Sequence, residues 1–234
     1  AEHRILLRAQ GSIGRKKPPF PGFFQLSDYS ARAGSDFGEM WPIADDGLIA
    51  CSCDLTAGDT ARHAGLVYLD TWFSILSQTS LEMRDIVQRL NVDMVKRSSE
   101  CYASLAGVRY SRKTGKAEIA GAGSATAMHF SHESMSARVF SFGAAAGVRK
   151  DIEIRSHDVM VKTGDVICLC TDGLTAARRP DGDLVGAEAV AEAIRRNYFL
   201  AAEDLAAKIL ETVSSAAVPE ANADDRTVQV LKIL

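Results

Sequence analysis

A chain of 234 residues, 47% hydrophobic and 24% charged, has ordinary globular composition and enough length to bury a substantial core. Its formal net charge of −3 removes the global basic signal of a nucleic-acid or membrane-surface binder, and no apolar run reaches the roughly 18 residues that span a bilayer. Five cysteines, an odd number with no secretory signal, point to reduced thiols and a cytoplasmic location.

Residues 1–22 read as a helical stub and a connector, Lys17-Pro18-Pro19-Phe20-Pro21-Gly22, with Arg15-Lys16-Lys17 as a solvated linker. An opening residue other than Met, followed by the amphipathic Ala1–Leu7, is what a fragment of a longer protein would show. From residue 23 to 234 a single domain is expected. Strands are predicted over Phe24–Tyr29 and Phe37–Ile43, and the Asp-Gly turn in Ala44–Gly47 returns the chain as Leu48–Cys53, a meander. Apolar spacing predicts helices from Thr60 to about Gln78 and from Ser80, a potential cap, to Arg97, together covering one sheet. Alternation then resumes in a hairpin, Tyr102–Tyr110 and Ala117–Ala122, turned at Lys113–Lys116. Short strands follow at Ala137–Phe140, Ile152–Ile154, Val159–Val161 and Val166–Cys170, the last two joined by a turn at Lys162–Asp165. Helices at Gly186–Tyr198 and Ala201–Ser215 and a strand at Thr227–Ile233 complete the chain. Hairpins interrupted by helix pairs predict an α+β fold: a four-layer α/β/β/α sandwich of two antiparallel sheets flanked by helix pairs.

The chemistry lies in where acids fall. Asp36 follows Gly34-Ser35, Asp54 ends the strand through Cys53, Asp172 ends the strand through Cys170 and Thr171, and Asp224-Asp225 precede the last strand. Singly, each is an ordinary turn former or helix cap. Gathered at one end of a sheet they would repel, unless Mg²⁺ or Mn²⁺, which prefer carboxylates and water, neutralised them. Two such ions about 3.5–4 Å apart can hold a hydroxide and clamp a phosphate for in-line displacement, with no covalent phosphoenzyme.

Thr171-Asp172-Gly173 with the following Leu174–Arg178 and Asp181–Gly186, Asp224-Asp225-Arg226-Thr227, Gly34-Ser35-Asp36-Phe37 and Cys53-Asp54-Leu55 stand in an order that resembles the bacterial SpoIIE/RsbU-like branch of the PPM, or 2C-class, metal-dependent serine/threonine phosphatases. The resemblance spans about residues 23–234. It implies that Asp54 bridges two Mn²⁺ or Mg²⁺ ions, that Asp36 and the Leu55 carbonyl serve one, and that Asp172 and Asp224 serve the other. It also implies a phosphoserine or phosphothreonine substrate on a regulatory protein, of the class of anti-sigma-factor antagonists, and an upstream sensor or receiver domain. Two loops depart from the family's pattern: Thr56-Ala57-Gly58-Asp59 and Gly121-Ala122-Gly123-Ser124-Ala125-Thr126. Both should border the substrate cleft, and they motivate a rival reading as a degenerate adaptor without catalysis. A homodimer through the helices near residues 60–97 is compatible with either.

Other residues carry two readings each. Arg32 could grip a substrate phosphate bidentately or be a solvated strand-edge cation. His63 could be a general acid or a helix-surface histidine, and Glu39 and Asp59 could hold a weaker third ion or only water. The pairs Cys51/Cys53 and Cys168/Cys170 would each share a strand face and could meet if the strands were neighbours, but small buried hydrophobes is the plainer reading. His129, His132 and His157 have no metal spacing, and Gly121-Ala122-Gly123 lacks the lysine and strand-to-helix context of a phosphate loop.

Overall fold

The computed structural model describes residues 20–28, 34–44, 46–97, 101–218 and 224–234. The stub over residues 1–19 and Arg32 lie outside them. The strands are β1 (Phe23–Asp28), β2 (Asp36–Ile43), β3 (Gly47–Thr56), β4 (Tyr102–Ser111), β5 (Lys116–Ala122), β6 (Thr126–Ser131), β7 (Ser136–Ser141), β8 (Arg155–Met160), β9 (Val166–Cys170) and β10 (Arg226–Lys232). The helices among the described residues are α1 (Asp59–Leu76), α2 (Met83–Arg97), α3 (Asp172–Thr175), α4 (Gly186–Asn197) and α5 (Ala202–Ala216). One antiparallel sheet, I, has the order β1-β10-β9-β6-β7; the other, II, has the order β2-β3-β4-β5-β8.

Burial on both faces explains why the central strands read as nearly continuous apolar runs. Along β3, Ile49, Cys51, Cys53 and Leu55 pack beneath α1 and α2, while the alternate Leu48 and Ala50 face the other sheet. Sheet I is built the same way, with Cys168, Val228 and Val230 under α4 and α5 and Ile167, Leu169 and Leu231 turned inward. The result is the expected α/β/β/α layering with three apolar cores. The two cysteine pairs lie in opposite outer cores and do not meet, so the plainer reading of them holds.

The inner layer changes character along its length. At one end it holds Met40, Leu48, Tyr110 and Leu231; at the other, the residues of the same strand parity are Asp36, Ser52, Thr227 and Gln229, all buried. Polar groups in a sheet-sheet interior are costly unless bonded. Two of them are tied to β1: the Gln229 amide donates to Gln25 Oε1 at 2.9 Å, and Ser27 and Thr227 share a hydroxyl contact of 3.0 Å, whereas Ser52 Oγ and Gln229 Oε1 are buried without a partner.

Several strand assignments are corrected. β1 does not continue into the meander; it pairs with β10, whereas β2 begins sheet II. Ile152–Ile154 is not a strand, because both isoleucines are buried in the core beneath α1 and α2, and pairing with β5 begins only at Arg155. The turn at Lys162–Asp165 joins no hairpin, since β8 lies in sheet II and β9 in sheet I. β6 is an additional strand: the Gly-rich segment before it is a short crossover between sheets, with Gly123 at φ +77°.

The start of α2 is held from across the sheet. Glu118 on β5, itself buried, accepts the amides of Met83 at 2.7 Å and Arg84 at 3.0 Å, so these first-turn donors are satisfied by a strand residue and not by Ser80. Burial holds its carboxyl above the ordinary glutamate range. Glu118→Ala should therefore lower the unfolding free energy by about 1–3 kcal/mol, the cost of unpaired buried donors, as read from a urea titration. No helix among the described residues is long and apolar enough to cross a membrane.

Candidate metal centre

The polar end of the inner layer opens onto the acids. Asp36 and Asp54 are direct partners in the β2–β3 register, so their side chains leave the same face of sheet II. Asp172 opens α3 at the end of β9, and Asp224 precedes β10, its neighbour in sheet I. One ligand atom from each of Asp54, Asp172 and Asp224 lies within 4.8 Å of the others. Three residues distant in the chain, from two sheets, converge on one point.

Backbone packing enforces the convergence. A Cβ on Gly173 would sit 1.9 Å from the Asp225 carbonyl oxygen, so only glycine lets α3 lie this close to the residues before β10. Ser35 N donates to Asp225 Oδ2 at 2.7 Å and Leu55 N to the Ser35 carbonyl at 3.0 Å, tying the β2 and β3 ends to the same segment. Asp225 is thus a buried brace, while Asp224 is the exposed member of the pair.

Asp36 sits behind the trio. It is 4% exposed, and Thr171 Oγ1 donates to its Oδ2 at 2.7 Å while accepting from Thr227 N at 2.9 Å. Its Oδ1 and the Oδ1 of Asp172 are buried without a hydrogen-bond partner. Burial holds the Asp36 carboxyl well above the ordinary aspartate range, although hydrogen bonds from Thr171 and Thr227 oppose the shift. Burial likewise pushes Asp54 up to about 6; a hydrogen bond from Ser35 opposes this, and the charges of Asp172, Asp224 and Asp225 add to it. Asp224 is raised by burial first; the hydrogen bond it accepts from the Asp225 amide opposes this, the charges of Asp172 and Asp225 add to it, and Arg62 pulls the other way.

Asp36, Asp54 and Asp224, each disfavoured in its ionised form, stand beside Asp172 with orphaned oxygens on Asp36 and Asp172, a hard-oxygen donor set suited to a cation. The residues present fit a divalent ion such as Mg²⁺ or Mn²⁺. Of the acids singled out in the sequence, Asp54, Asp172 and Asp224 meet, and Asp36 stands one strand over. Glu39, an odd number of residues along β2 from Asp36, leaves the opposite face and does not join them.

Three contributors were missed. Arg62, in the first turn of α1, donates from Nη2 to the Ala57 carbonyl at 3.3 Å and is near enough to influence Asp224. Ser124 donates to Asp172 Oδ2 at 2.6 Å, and Ser104 lies 3.0 Å from Ser124. No spacing rule flags a serine across a turn; its one signal was its place in a glycine-rich loop that departs from the family's pattern. His63 is half-buried beside Arg62 on α1.

Comparison with known proteins follows the same lines. The structure resembles the SiaA-PP2C domain of Pseudomonas aeruginosa with a TM-score of 0.76 and 17% identity, covering 100% of this chain and 93% of that one. It resembles RsbX, crystallised in complex with magnesium, with a TM-score of 0.66 and 13% identity, covering 89% and 92%. It also resembles the phosphatase domain with a regulatory-domain fragment of SpoIIE from Bacillus subtilis, with a TM-score of 0.71 and 14% identity, covering 90% and 63%. No curated protein matches by sequence comparison. Residues 50–234 match the family described as stage II sporulation protein E. With the acids at the strand ends and the two-sheet sandwich, that match places the chain in the SpoIIE family, the SpoIIE/RsbU-like branch of the PPM phosphatases.

Proposed function

We propose that this domain is an active metal-dependent serine/threonine phosphatase, acting in the cytoplasm on a phosphoserine or phosphothreonine of a bacterial regulatory protein of the anti-sigma-factor-antagonist class. The observation that carries the reading is the convergence of Asp54, Asp172 and Asp224. Asp54 would be shared between two ions, with Asp36 and the Leu55 carbonyl on one side and Asp172 and Asp224 on the other. Bound there, two Mn²⁺ or Mg²⁺ ions would lower the pKa of a coordinated water toward neutrality and offset the negative charge of the phosphoryl oxygens.

The chain's own groups do the rest. The Thr171 hydroxyl fixes one oxygen of Asp36 and leaves the other free to accept. Ser35 and Asp225 hold the ends of the two sheets in register. Arg62, held by the Ala57 carbonyl and near enough to Asp224 to influence it, would give a phosphate oxygen at the site a charge-assisted bond. Arg62→Ala should accordingly raise KM for a phosphoserine peptide by about ten-fold or more, with a smaller change in kcat.

The unit is taken to run over residues 23–234, with residues 1–22 as a connector to a sensor or receiver domain and α1 and α2 as the surface of a homodimer. The adaptor reading rests on the altered loops at Ala57 and Ser124; the intact trio favours the enzyme. Mn²⁺-dependent hydrolysis of p-nitrophenyl phosphate that stops on chelation is the expected result. A protein that neither binds Mn²⁺ nor turns over this ester would be the adaptor instead.

A further inference from the structure

The turn between β5 and β6 touches the acid cluster through a single hydroxyl. Ser124 Oγ lies 2.6 Å from Asp172 Oδ2 and 3.0 Å from Ser104 Oγ. A hydroxyl has one proton to give, and an ionised carboxylate can only accept. Ser124 therefore gives its proton to Asp172, while Ser104 Oγ backs the turn as an acceptor, taking the Ser124 amide at 3.4 Å and lying 3.0 Å from its hydroxyl. Ser104 is itself placed by the sheet: it is the direct β4 partner of Asp54 and faces the inner layer. The turn is pressed onto Ser104 by Gly123, whose φ of +77° suits glycine and whose Cβ would fall 2.4 Å from Ser104 Oγ. Gly123 N also donates to the Ala144 carbonyl at 3.1 Å, anchoring the turn from its other side.

The chain Ser104 to Ser124 to Asp172 thus crosses from sheet II to sheet I beside the acids. One Asp172 oxygen is occupied by it, while the other is buried without a partner. We propose that Ser124, backed by Ser104, is a positioning residue that fixes the rotation of the Asp172 carboxylate, and so presets the site for a divalent cation before the cation arrives. The inference rests on the metal-site reading above. Its physical basis is general: partners that orient a ligand side chain commonly govern about 10–100-fold in metal affinity.

The test is Mn²⁺ binding to the chelator-treated protein by titration calorimetry, with no substrate present. Ser124→Ala should bind Mn²⁺ about ten-fold or more weakly, while its metal-free melting temperature stays that of the unaltered protein, because the serine is exposed. Ser124→Thr, which keeps the hydroxyl, should restore the affinity. Ser104→Ala, which spares the bond to Asp172 but removes its backing, should fall between. Equal Mn²⁺ affinity in Ser124→Ala and the unaltered protein overturns the proposal while leaving the metal site standing; so does a Thr variant as weak as the Ala variant. If the unaltered protein binds no Mn²⁺, both this proposal and the metal-site reading fall.

Discussion

Asp54→Asn should abolish metal-dependent phosphate-ester hydrolysis and at the same time raise the melting temperature of the chelator-treated protein. The first effect follows from removing the carboxylate placed between the other acids. Losing several kcal/mol of charge stabilisation in the transition state corresponds to about 10³-fold or more in kcat. The second follows from what Asp54 costs when nothing neutralises it. Burial and the neighbouring acids hold its carboxyl at about 6, above its unfolded value near 4.

The sign of the pH dependence is fixed by that shift. A group that binds its proton more tightly when folded contributes fully below the unfolded pKa, and the contribution is lost as pH rises through the folded pKa. Asp54 should thus cost metal-free protein on the order of 2–3 kcal/mol between about pH 4 and 6, and Asp54→Asn should lose correspondingly less over that range, keeping only the contributions of the other raised carboxyls, Asp36, Asp224 and Glu118. At neutral pH the variant should melt roughly 4–10 °C higher in chelator. In the unaltered protein Mn²⁺ competes with that proton, so affinity should weaken below about pH 6. A variant that melts lower than the unaltered protein in chelator would contradict the crowding argument, whatever its activity.

Gly173→Ala should do the opposite kind of damage, lowering stability and metal affinity together. The added methyl meets a backbone carbonyl, not the tip of a flexible side chain, so α3 or the segment before β10 must move. Overpacking of this sort costs about 1–3 kcal/mol, occasionally more. The two segments that would have to part carry Asp172 and Asp224, so the displacement also spreads the acids. Gly58→Ala is a useful comparison, because a Cβ there meets nothing within 4 Å. Thermal melting with and without Mn²⁺ distinguishes the two: the difference between the melts should shrink in Gly173→Ala and persist in Gly58→Ala.

The layers of this fold were legible because their determinants are local. Leu48 to Cys53 alternates between two buried faces, and Leu66, Leu69 and Phe73 recur at helical spacing; period alone assigns these elements. Pairing was less accessible. Nothing in Phe23–Asp28 says that its neighbour is the last strand and not the next one, because register across sheets is set by which faces close over one another. β6 was hidden by the glycines before it, which serve a crossover and not a long loop. At the site, the three converging acids could be singled out because each follows an apolar strand or precedes one. Arg62 and Ser124 could not, because what matters about them is a contact across the fold that no spacing encodes.

The acids come from different sheets: Asp54 from one, Asp172 and Asp224 from the other. A cation held by all of them is therefore a clasp between two halves of the sandwich as well as a reagent. It binds only when both halves have docked, so it adds to native stability by mass action, about 2.7 kcal/mol at a hundred times its dissociation constant. Divalent supply would then set how long the molecule stays closed, and depletion would retire the protein as well as idle it.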